Sequence, residues 1–218
     1  MVSELARSVS ERGELVLRRR DDDALELRVN GVFVMDTAET TTERALSAAA
    51  LRLADPARVL VGGLGLGFTT AELLTDQRVR EVLVAEIEPD VVRWMADGTV
   101  PHGPRILGDP RVQVRVADVR VVVDEQPHGS LDAILLDVDN GPDFLVLDAN
   151  ASLYRKRFLR GCLERLRPAG ALLIWSSTRS CALEQALDAA AGSWSVEVHD
   201  VVLAGRDETY SVYSANRL

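Results

Sequence analysis

The stretch from Arg58 to Asp90 constrains the fold more than any other part of the chain. It reads RVLVGGLGLGFTTAELLTDQRVREVLVAEIEPD, in which the apolar run Val59–Val61 leads directly into a cluster of four glycines. A short β-branched run followed by a glycine turn and a helical stretch is typical of a buried parallel strand. Glycine in such a turn allows backbone N–H groups to approach a ligand closely. This stretch therefore predicts a strand, a ligand-binding turn and a helix.

An acid ends each of the next two predicted strands. The run VLVA is followed by Glu86, and the run VQVRVA is followed by Asp118. In doubly wound sheets an acid at the end of the second strand accepts hydrogen bonds from both ribose hydroxyls. Glycines also form ordinary tight turns, but the order of strand, glycines, helix, strand and acid favours a nucleoside site. We expect the glycine loop, Glu86 and Asp118 to outline one crevice.

Apolar strands and helical stretches alternate from Arg58 onward, which predicts an α/β fold with a doubly wound, Rossmann-like sheet and helices on both faces. An antiparallel pair of strands is expected to finish the sheet edge. The further predicted strands are Val112–Ala117, Leu131–Asp137, ALLIWSS, Ser195–Leu203 and Thr209–Ala215. The predicted helices are Pro89–Ala96, Val119–Gln126, Ser152–Leu166 and Cys181–Ala191, with a loop over the crevice at Val138–Asn150.

The first residues predict a small β appendage. Glu14–Arg20 and Ala24–Asp36 have strand patterns, and Asn30-Gly31 within the second is a strong two-residue hairpin signal. Thr40–Ala54 then has Ala and Leu at helical spacing, which predicts a helix. The chain is therefore divided into an N-terminal β-hairpin appendage, residues 1–38, and a Rossmann-like domain, residues 39–218.

Composition argues against several classes of function. The formal net charge of -9 and the pI near 4.9 are unfavourable for binding nucleic acid. No segment has the apolar length of a membrane span or a signal peptide, so we expect a cytoplasmic protein without a membrane partner. Cys162 and Cys181 lack disulfide or CxxC spacing, and His102, His128 and His199 lack metal-ligand spacing. We therefore expect reduced thiols and no metal.

With these elements placed, the chain resembles the spermidine synthase (polyamine aminopropyltransferase) family, a branch of the class I S-adenosylmethionine-dependent methyltransferase fold. The resemblance is carried by LRVNGVFVMDTAETTTER, VLVGGLGLGFTTAELL, VAEIEPDVV, DPRVQVRVAD, LDAILLDVDNGP and SLYRKRFLRGCLERLRPAGALLI. It implies an adenosyl cofactor, either S-adenosylmethionine or its decarboxylated form. It also implies a small-molecule acceptor and a homodimer.

The resemblance also implies roles for individual residues. Asp137 lies where the family's catalytic acid lies. Asn140 takes the second position of the family's DxxD pair. From the residues themselves, we expect further acceptor contacts at Asp139, a loop acid suited to a cationic group, and at the aromatic residues Tyr154 and Trp175. Cofactor contacts are expected from the glycine loop and the two strand-end acids, namely Gly63, Gly65, Leu66, Gly67, Glu86 and Asp118.

Departures from the family pattern leave the reaction open. The motif comparison places Leu66 at an Asp of the family's glycine loop and Asn140 at the second acid of its DxxD pair. Most of the acids expected for a polyamine are also replaced. An acid-free loop favours intact S-adenosylmethionine, whose carboxylate would otherwise meet a like charge. The sequence therefore favours methyl transfer to a small acceptor. Polyamine aminopropyl transfer and a non-catalytic, nucleoside-binding or dimeric protein are the alternatives.

Overall fold

The computed structural model describes residues 2–203 and 206–217, which form two sheets. The smaller sheet is antiparallel, with its four strands in chain order. They are β1 (Ser3–Ser10), β2 (Gly13–Arg19), β3 (Leu25–Val29) and β4 (Val32–Asp36).

The larger sheet has seven strands, in the order β10-β11-β9-β8-β5-β6-β7. Strands β5 to β9 run parallel, and β10 and β11 form an antiparallel pair at one edge, as predicted. The strands are β5 (Arg58–Gly62), β6 (Glu81–Glu86), β7 (Val112–Val116), β8 (Leu131–Leu136), β9 (Leu166–Ser176), β10 (Trp194–Leu203) and β11 (Arg206–Asn216). The helices are α1 (Thr41–Leu53), α2 (Phe68–Leu73), α3 (Pro89–Ala96), α4 (Gly103–Leu107), α5 (Val119–Asp124), α6 (Lys156–Arg165) and α7 (Cys181–Ala190).

Alternating side chains of the parallel strands build one apolar core on each face of the larger sheet. Val59 and Val61 of β5 point into one core, while Leu60 between them points into the other. This alternation is what a two-residue side-chain period produces in a strand that is covered on both faces. The doubly wound α/β fold that the sequence predicts is confirmed.

The N-terminal sheet is built onto the first of these cores. Leu15, Leu17, Leu25 and Leu27 belong to the same buried cluster as Val59. Within the sheet, the predicted turn at Asn30-Gly31 is confirmed, because both residues have positive φ, +51° and +76°. Such angles at both central residues are what a tight hairpin turn of this type requires. The appendage therefore forms a wall against the main sheet.

Three local predictions were wrong. The prediction of a hairpin missed β1, because its side chains are mostly exposed and it shows no apolar run. The continuous helix predicted over Ser152–Leu166 is interrupted: a 3-10 helix, Asp148–Tyr154, precedes α6, and Arg155 between them is extended. The interruption lets Leu153 and Tyr154 enter the core. The third error is α4 (Gly103–Leu107), which is not among the helices predicted from the sequence.

Candidate functional site

A cavity opens at the carboxyl ends of β5, β6, β7 and β8, where a parallel sheet brings the residues after each strand together. It has a volume of about 1060 Å³, including its open mouth. The N-terminal sheet closes one side with apolar side chains, among them Leu15, Leu27, Val29 and Val34.

The glycine loop brings backbone to the cavity surface at Gly63 and Gly65. Both have positive φ, +91° and +49°. A Cβ atom at Gly63 would lie 2.0 Å from the carbonyl oxygen of Asp137, so a side chain cannot fit there. A Cβ atom at Gly65 would lie 2.5 Å from Sδ of Met35, whose thioether covers the loop. The loop therefore offers backbone rather than side chains to a ligand.

The structure places two of the predicted loop residues elsewhere. Leu66 is 1% exposed, belongs to the apolar core and does not line the cavity. Gly67 begins α2 and is buried against Met95 and Ile106. The prediction that Leu66 faces the cofactor is therefore corrected: of these neighbours it is Gly65 that faces the cavity. The loop still presents no acid there.

Glu86 ends β6 and presents its carboxylate to the cavity. One oxygen accepts a hydrogen bond from the N–H of Leu64 and the other from the N–H of Glu88, each at 2.8 Å. Burial raises the pKa of Glu86, and these backbone N–H groups oppose the rise. Each carboxylate oxygen has a second lone pair, so the group retains capacity for two hydroxyl donors.

Asp118 also lines the cavity, but its carboxylate already has strong partners. It caps α5 by accepting from the N–H of Arg120 at 2.8 Å, and Nε of Arg120 donates to the same oxygen at 2.9 Å. Burial alone would raise the pKa of Asp118, but the bonds from Arg120 outweigh it and hold the pKa below its usual value. Arg120 thus fixes the orientation of this predicted cofactor contact.

Asp137, the predicted catalytic acid, follows β8 and lines the middle of the cavity. Its Oδ2 accepts a hydrogen bond from Oγ1 of Thr69 at 2.6 Å. Oγ of Ser47 donates to the carbonyl oxygen of Thr69 at 2.7 Å, which ties α1 to α2 behind this acid. Removal from water raises the pKa of Asp137 to about 6. An acid with a pKa near neutrality is suited to accept and release a proton.

A second acid beside Asp137 was not predicted from the sequence. Glu43, on α1, is 7% exposed and lines the cavity. Burial, and next the charge of Asp137, raise its pKa to about 8. The spacing Thr40-x-x-Glu43 has the form of a helix-capping pair, although Thr40 makes no side-chain cap. The available signal was its helical phase, since Leu46 and Ala50 on the same face are fully buried.

Two predicted acceptor contacts organise the loop above the cavity. Asp139 accepts from the N–H of Asn140 at 2.8 Å, from the N–H of Val146 at 2.7 Å and from Nδ2 of Asn150 at 2.8 Å. Nδ2 of Asn140 donates to the carbonyl oxygen of Phe33 at 3.2 Å, which fastens the loop to β4. Both residues line the cavity, but their side chains are used within the protein.

The two aromatic candidates have different positions. Tyr154 lies in the apolar core, is 5% exposed and does not line the cavity, contrary to the prediction of an acceptor contact. Trp175 does line the cavity. It follows Ile174, which pairs with Leu136, so Trp175 stands level with Asp137 on the neighbouring strand. Its ring packs edge-on against the ring of Tyr210, with 5.0 Å between the ring centroids.

Across residues 2–203 and 206–217, no group of three or more His, Cys, Asp or Glu side chains is arranged to hold a metal ion. Within the same ranges, no helix has the length and apolar character needed to cross a bilayer.

Sequence comparison finds relatives of two named activities, while no family model matches the chain. A polyamine aminopropyltransferase of Nitrosomonas europaea is 30% identical over 151 residues, which is 67% of this chain and 44% of that protein. Putrescine N-methyltransferase 4 of Nicotiana tabacum is 30% identical over 118 residues, 53% of this chain and 28% of that protein. The matches thus span less than half the length of these relatives.

Comparison with solved structures finds proteins that share the fold over 99% of this chain. A spermidine synthase in complex with the transition-state analogue AdoDATO matches with a TM-score of 0.87 at 16% identity, covering 99% of this chain and 74% of that one. Spermidine synthase from Thermotoga maritima matches with a TM-score of 0.84, also at 16% identity, over 99% of this chain and 73% of that one. At such identities these matches establish the fold, and the family assignment rests on the sequence relatives. The chain belongs to the spermidine-synthase-like family, on the class I methyltransferase fold.

Proposed function

We propose that this protein transfers an aminopropyl group from decarboxylated S-adenosylmethionine to the nitrogen of an amine. One observation carries the proposal: six acids line the cavity, and none of its described lining residues is Lys, Arg or His. The six are Glu43, Glu86, Glu88, Asp118, Asp137 and Asp139. Such a lining favours cationic ligands and gives a ligand carboxylate no charged partner.

The residues present fit an adenosyl group. Gly63 and Gly65 line the cavity without side chains, so a ligand can approach their backbone closely. Glu86 would hold the ribose hydroxyls with its free lone pairs, and Asp118, oriented by Arg120, would hold the adenine amino group. Both assignments follow the family resemblance, and both acids line the cavity.

Asp137 is proposed as the base. When bound, the cofactor supplies an electrophilic carbon attached to a sulfonium. Asp137 takes a proton from the acceptor's ammonium, which leaves the nitrogen with a free electron pair. The nitrogen then bonds to the carbon as the carbon–sulfur bond breaks, and the electron pair of that bond remains on sulfur. Thr69 holds Asp137 in place through its hydrogen bond, which lowers the pKa of Asp137 against the larger effect of burial.

The acidic cavity favours aminopropyl transfer, whereas the sequence alone favours methyl transfer. The preference for methyl transfer depended on Leu66 as part of an acid-free loop, and Leu66 does not face the cavity. Helix α2, which follows the loop, has six residues, Phe68–Leu73, and so provides only a small helix dipole for the carboxylate of intact S-adenosylmethionine. The relatives named as aminopropyltransferases and the neighbour with AdoDATO add further support.

Methyl transfer from intact S-adenosylmethionine is the second candidate. It is favoured by the relatives named as putrescine N-methyltransferases. It is also favoured by the glycine loop, in which the cavity-facing positions Gly63 and Gly65 carry no acid to hold an aminopropyl ammonium. Both activities use the same adenosyl site and the same base.

The proposal predicts that the protein binds decarboxylated S-adenosylmethionine more tightly than the intact cofactor. We expect a difference on the order of 1 kcal/mol or more, because the intact cofactor's carboxylate finds no cationic lining residue and lies near Glu43 and Asp137, which have no cationic partner. Calorimetric titration of both cofactors measures it, and mass spectrometry identifies the product formed from each with putrescine and with simple amines. Tighter binding of the intact cofactor, with a methylated product, would support the second candidate instead.

A matched pair of variants sharpens this test. Gly65→Asp adds an acid at a residue that lines the cavity, and Asp tolerates the φ of +49° better than most residues. Its Cβ would lie 2.5 Å from Sδ of Met35, so the flexible Met35 side chain moves aside in this variant. We expect it to increase the preference for the decarboxylated cofactor. Val121→Asp adds the same charge on the exposed surface of α5, where Val121 is 50% exposed, and should leave the preference unchanged.

A further inference from the structure

The acids around the cavity are not equally available to an acceptor. Three are already bound by partners within the protein. Nε of Arg12 lies 2.6 Å from Glu88, Arg120 pairs with Asp118, and backbone and amide N–H groups surround Asp139. Glu86 receives two backbone N–H groups at the adenosine end. Glu43 and Asp137 remain, and neither has a cationic side chain as hydrogen-bond partner in the described structure.

Glu43 and Asp137 act as one anionic group rather than two. Both side chains line the same cavity. Burial, and next the charge of Asp137, raise the pKa of Glu43, and burial raises the pKa of Asp137. Ionisation of one carboxyl therefore opposes ionisation of the other, and the pair suits a single ammonium.

The surface around this pair is apolar. Leu27, Val29 and Val34 of the N-terminal sheet line the cavity, as does Trp175 beside Asp137. Burial of hydrocarbon groups against such side chains is favourable, and an aromatic face also attracts an ammonium. A second ammonium placed here would be removed from water without a carboxylate to pair with it, which is strongly unfavourable.

Resting on the function proposed above, we infer that the acceptor is a primary monoamine with an apolar body rather than a diamine or polyamine. Its ammonium binds between Glu43 and Asp137, and its hydrocarbon part packs against Leu27, Val34 and Trp175. Specificity for one charge follows from the single anionic group and the apolar wall.

Two amines of equal size test this inference. Pentylamine and putrescine have the same number of non-hydrogen atoms, and a methyl group in the first replaces the second ammonium. Each is titrated calorimetrically into the protein saturated with methylthioadenosine, the thioether left after aminopropyl transfer. We expect pentylamine to bind about tenfold more tightly or better. Equal affinities, or tighter binding of putrescine, would overturn the inference.

Two variants that each add one acid, one inside the cavity and one on the surface, provide the control. Val34→Glu places an acid on the apolar wall and should shift the preference toward putrescine by about tenfold. Val198→Glu makes the same change on the exposed surface of β10, where Val198 is 51% exposed, and should not alter the preference. An unchanged preference in a folded Val34→Glu protein would contradict the apolar-wall argument. If that variant does not fold, the comparison of the two amines in the wild type decides.

The inference and the proposed function can fail separately. If methylthioadenosine does not bind the wild type, both the proposed function and the inference are contradicted. If methylthioadenosine binds but putrescine is preferred over pentylamine, only the inference is contradicted.

Discussion

Replacing Asp137 with asparagine should lower kcat by roughly 10²–10⁴-fold, the usual contribution of a positioned general base. Asparagine has nearly the same shape, and its carbonyl oxygen can still accept the hydrogen bond that Thr69 donates at 2.6 Å. It cannot take a proton from the acceptor's ammonium. Steady-state kinetics with decarboxylated S-adenosylmethionine and an amine measure the loss, while calorimetry should show methylthioadenosine affinity within a few-fold of the wild type.

The pH dependence of kcat gives an independent check on Asp137. Because burial raises its pKa to about 6, the wild-type kcat should fall as the pH decreases through about 6 and the base becomes protonated. Thr69→Val removes a hydrogen bond that stabilises the carboxylate, so it should shift this fall to higher pH. A fully folded Asp137→Asn protein that keeps kcat within a few-fold of the wild type would show that another group takes the proton.

Replacing Glu43 with glutamine should make the protein more stable and less active. In the folded state burial raises the pKa of the Glu43 carboxyl to about 8, whereas in the unfolded chain it has the ordinary pKa of a glutamate, 4.5. The folded protein therefore binds more protons than the unfolded chain between these pH values, and its free energy of unfolding decreases as the pH rises through this window. Glutamine does not titrate and removes this decrease. We expect a gain of about 1–4 kcal/mol at pH 8 and little change below pH 4.5.

Chemical denaturation at several pH values measures this effect. Glu125→Gln is a matched control, because its side chain is 47% exposed and pairs with Arg115 on the surface. Above pH 8, where Glu43 of the wild type is ionised, the same Glu43→Gln protein should bind pentylamine more weakly, because the pair has lost one negative charge. A loss of stability in Glu43→Gln that is equal at pH 5 and pH 8 would mean that Glu43 is not a buried, protonated acid.

Much of the fold could be predicted because strands and helices have distinct side-chain periods. The buried run Val59–Val61, the following glycines and the strand-end acids Glu86 and Asp118 all lie where the pattern indicated. Parallel strands carry their carboxyl ends to one edge, so residues far apart in sequence reach one cavity. Strand β1 was missed because its exposed side chains leave little hydrophobic pattern.

The side chains within the site were harder to predict, because loops and helix starts have no fixed period. In the glycine loop, where Gly63 and Gly65 have positive φ angles, Gly65 faces the cavity and Leu66 faces the core. An alignment error of one residue in this loop would therefore assign a core residue to the cavity. Glu43 could be taken for an ordinary acid in the first turn of a helix. Its role depends on the contact of α1 with Asp137, which only the tertiary structure provides.

Calorimetric titration of methylthioadenosine tests most directly the central claim that this cavity is an adenosyl site. The account predicts saturable binding to the wild type with a Kd below about 1 mM, which corresponds to roughly -4 kcal/mol. It also predicts that Glu86→Ala, while still folded, weakens this binding by roughly 1.5–3 kcal/mol through loss of charge-assisted hydrogen bonds. No binding at millimolar concentration, or an unchanged Kd in Glu86→Ala, would contradict it.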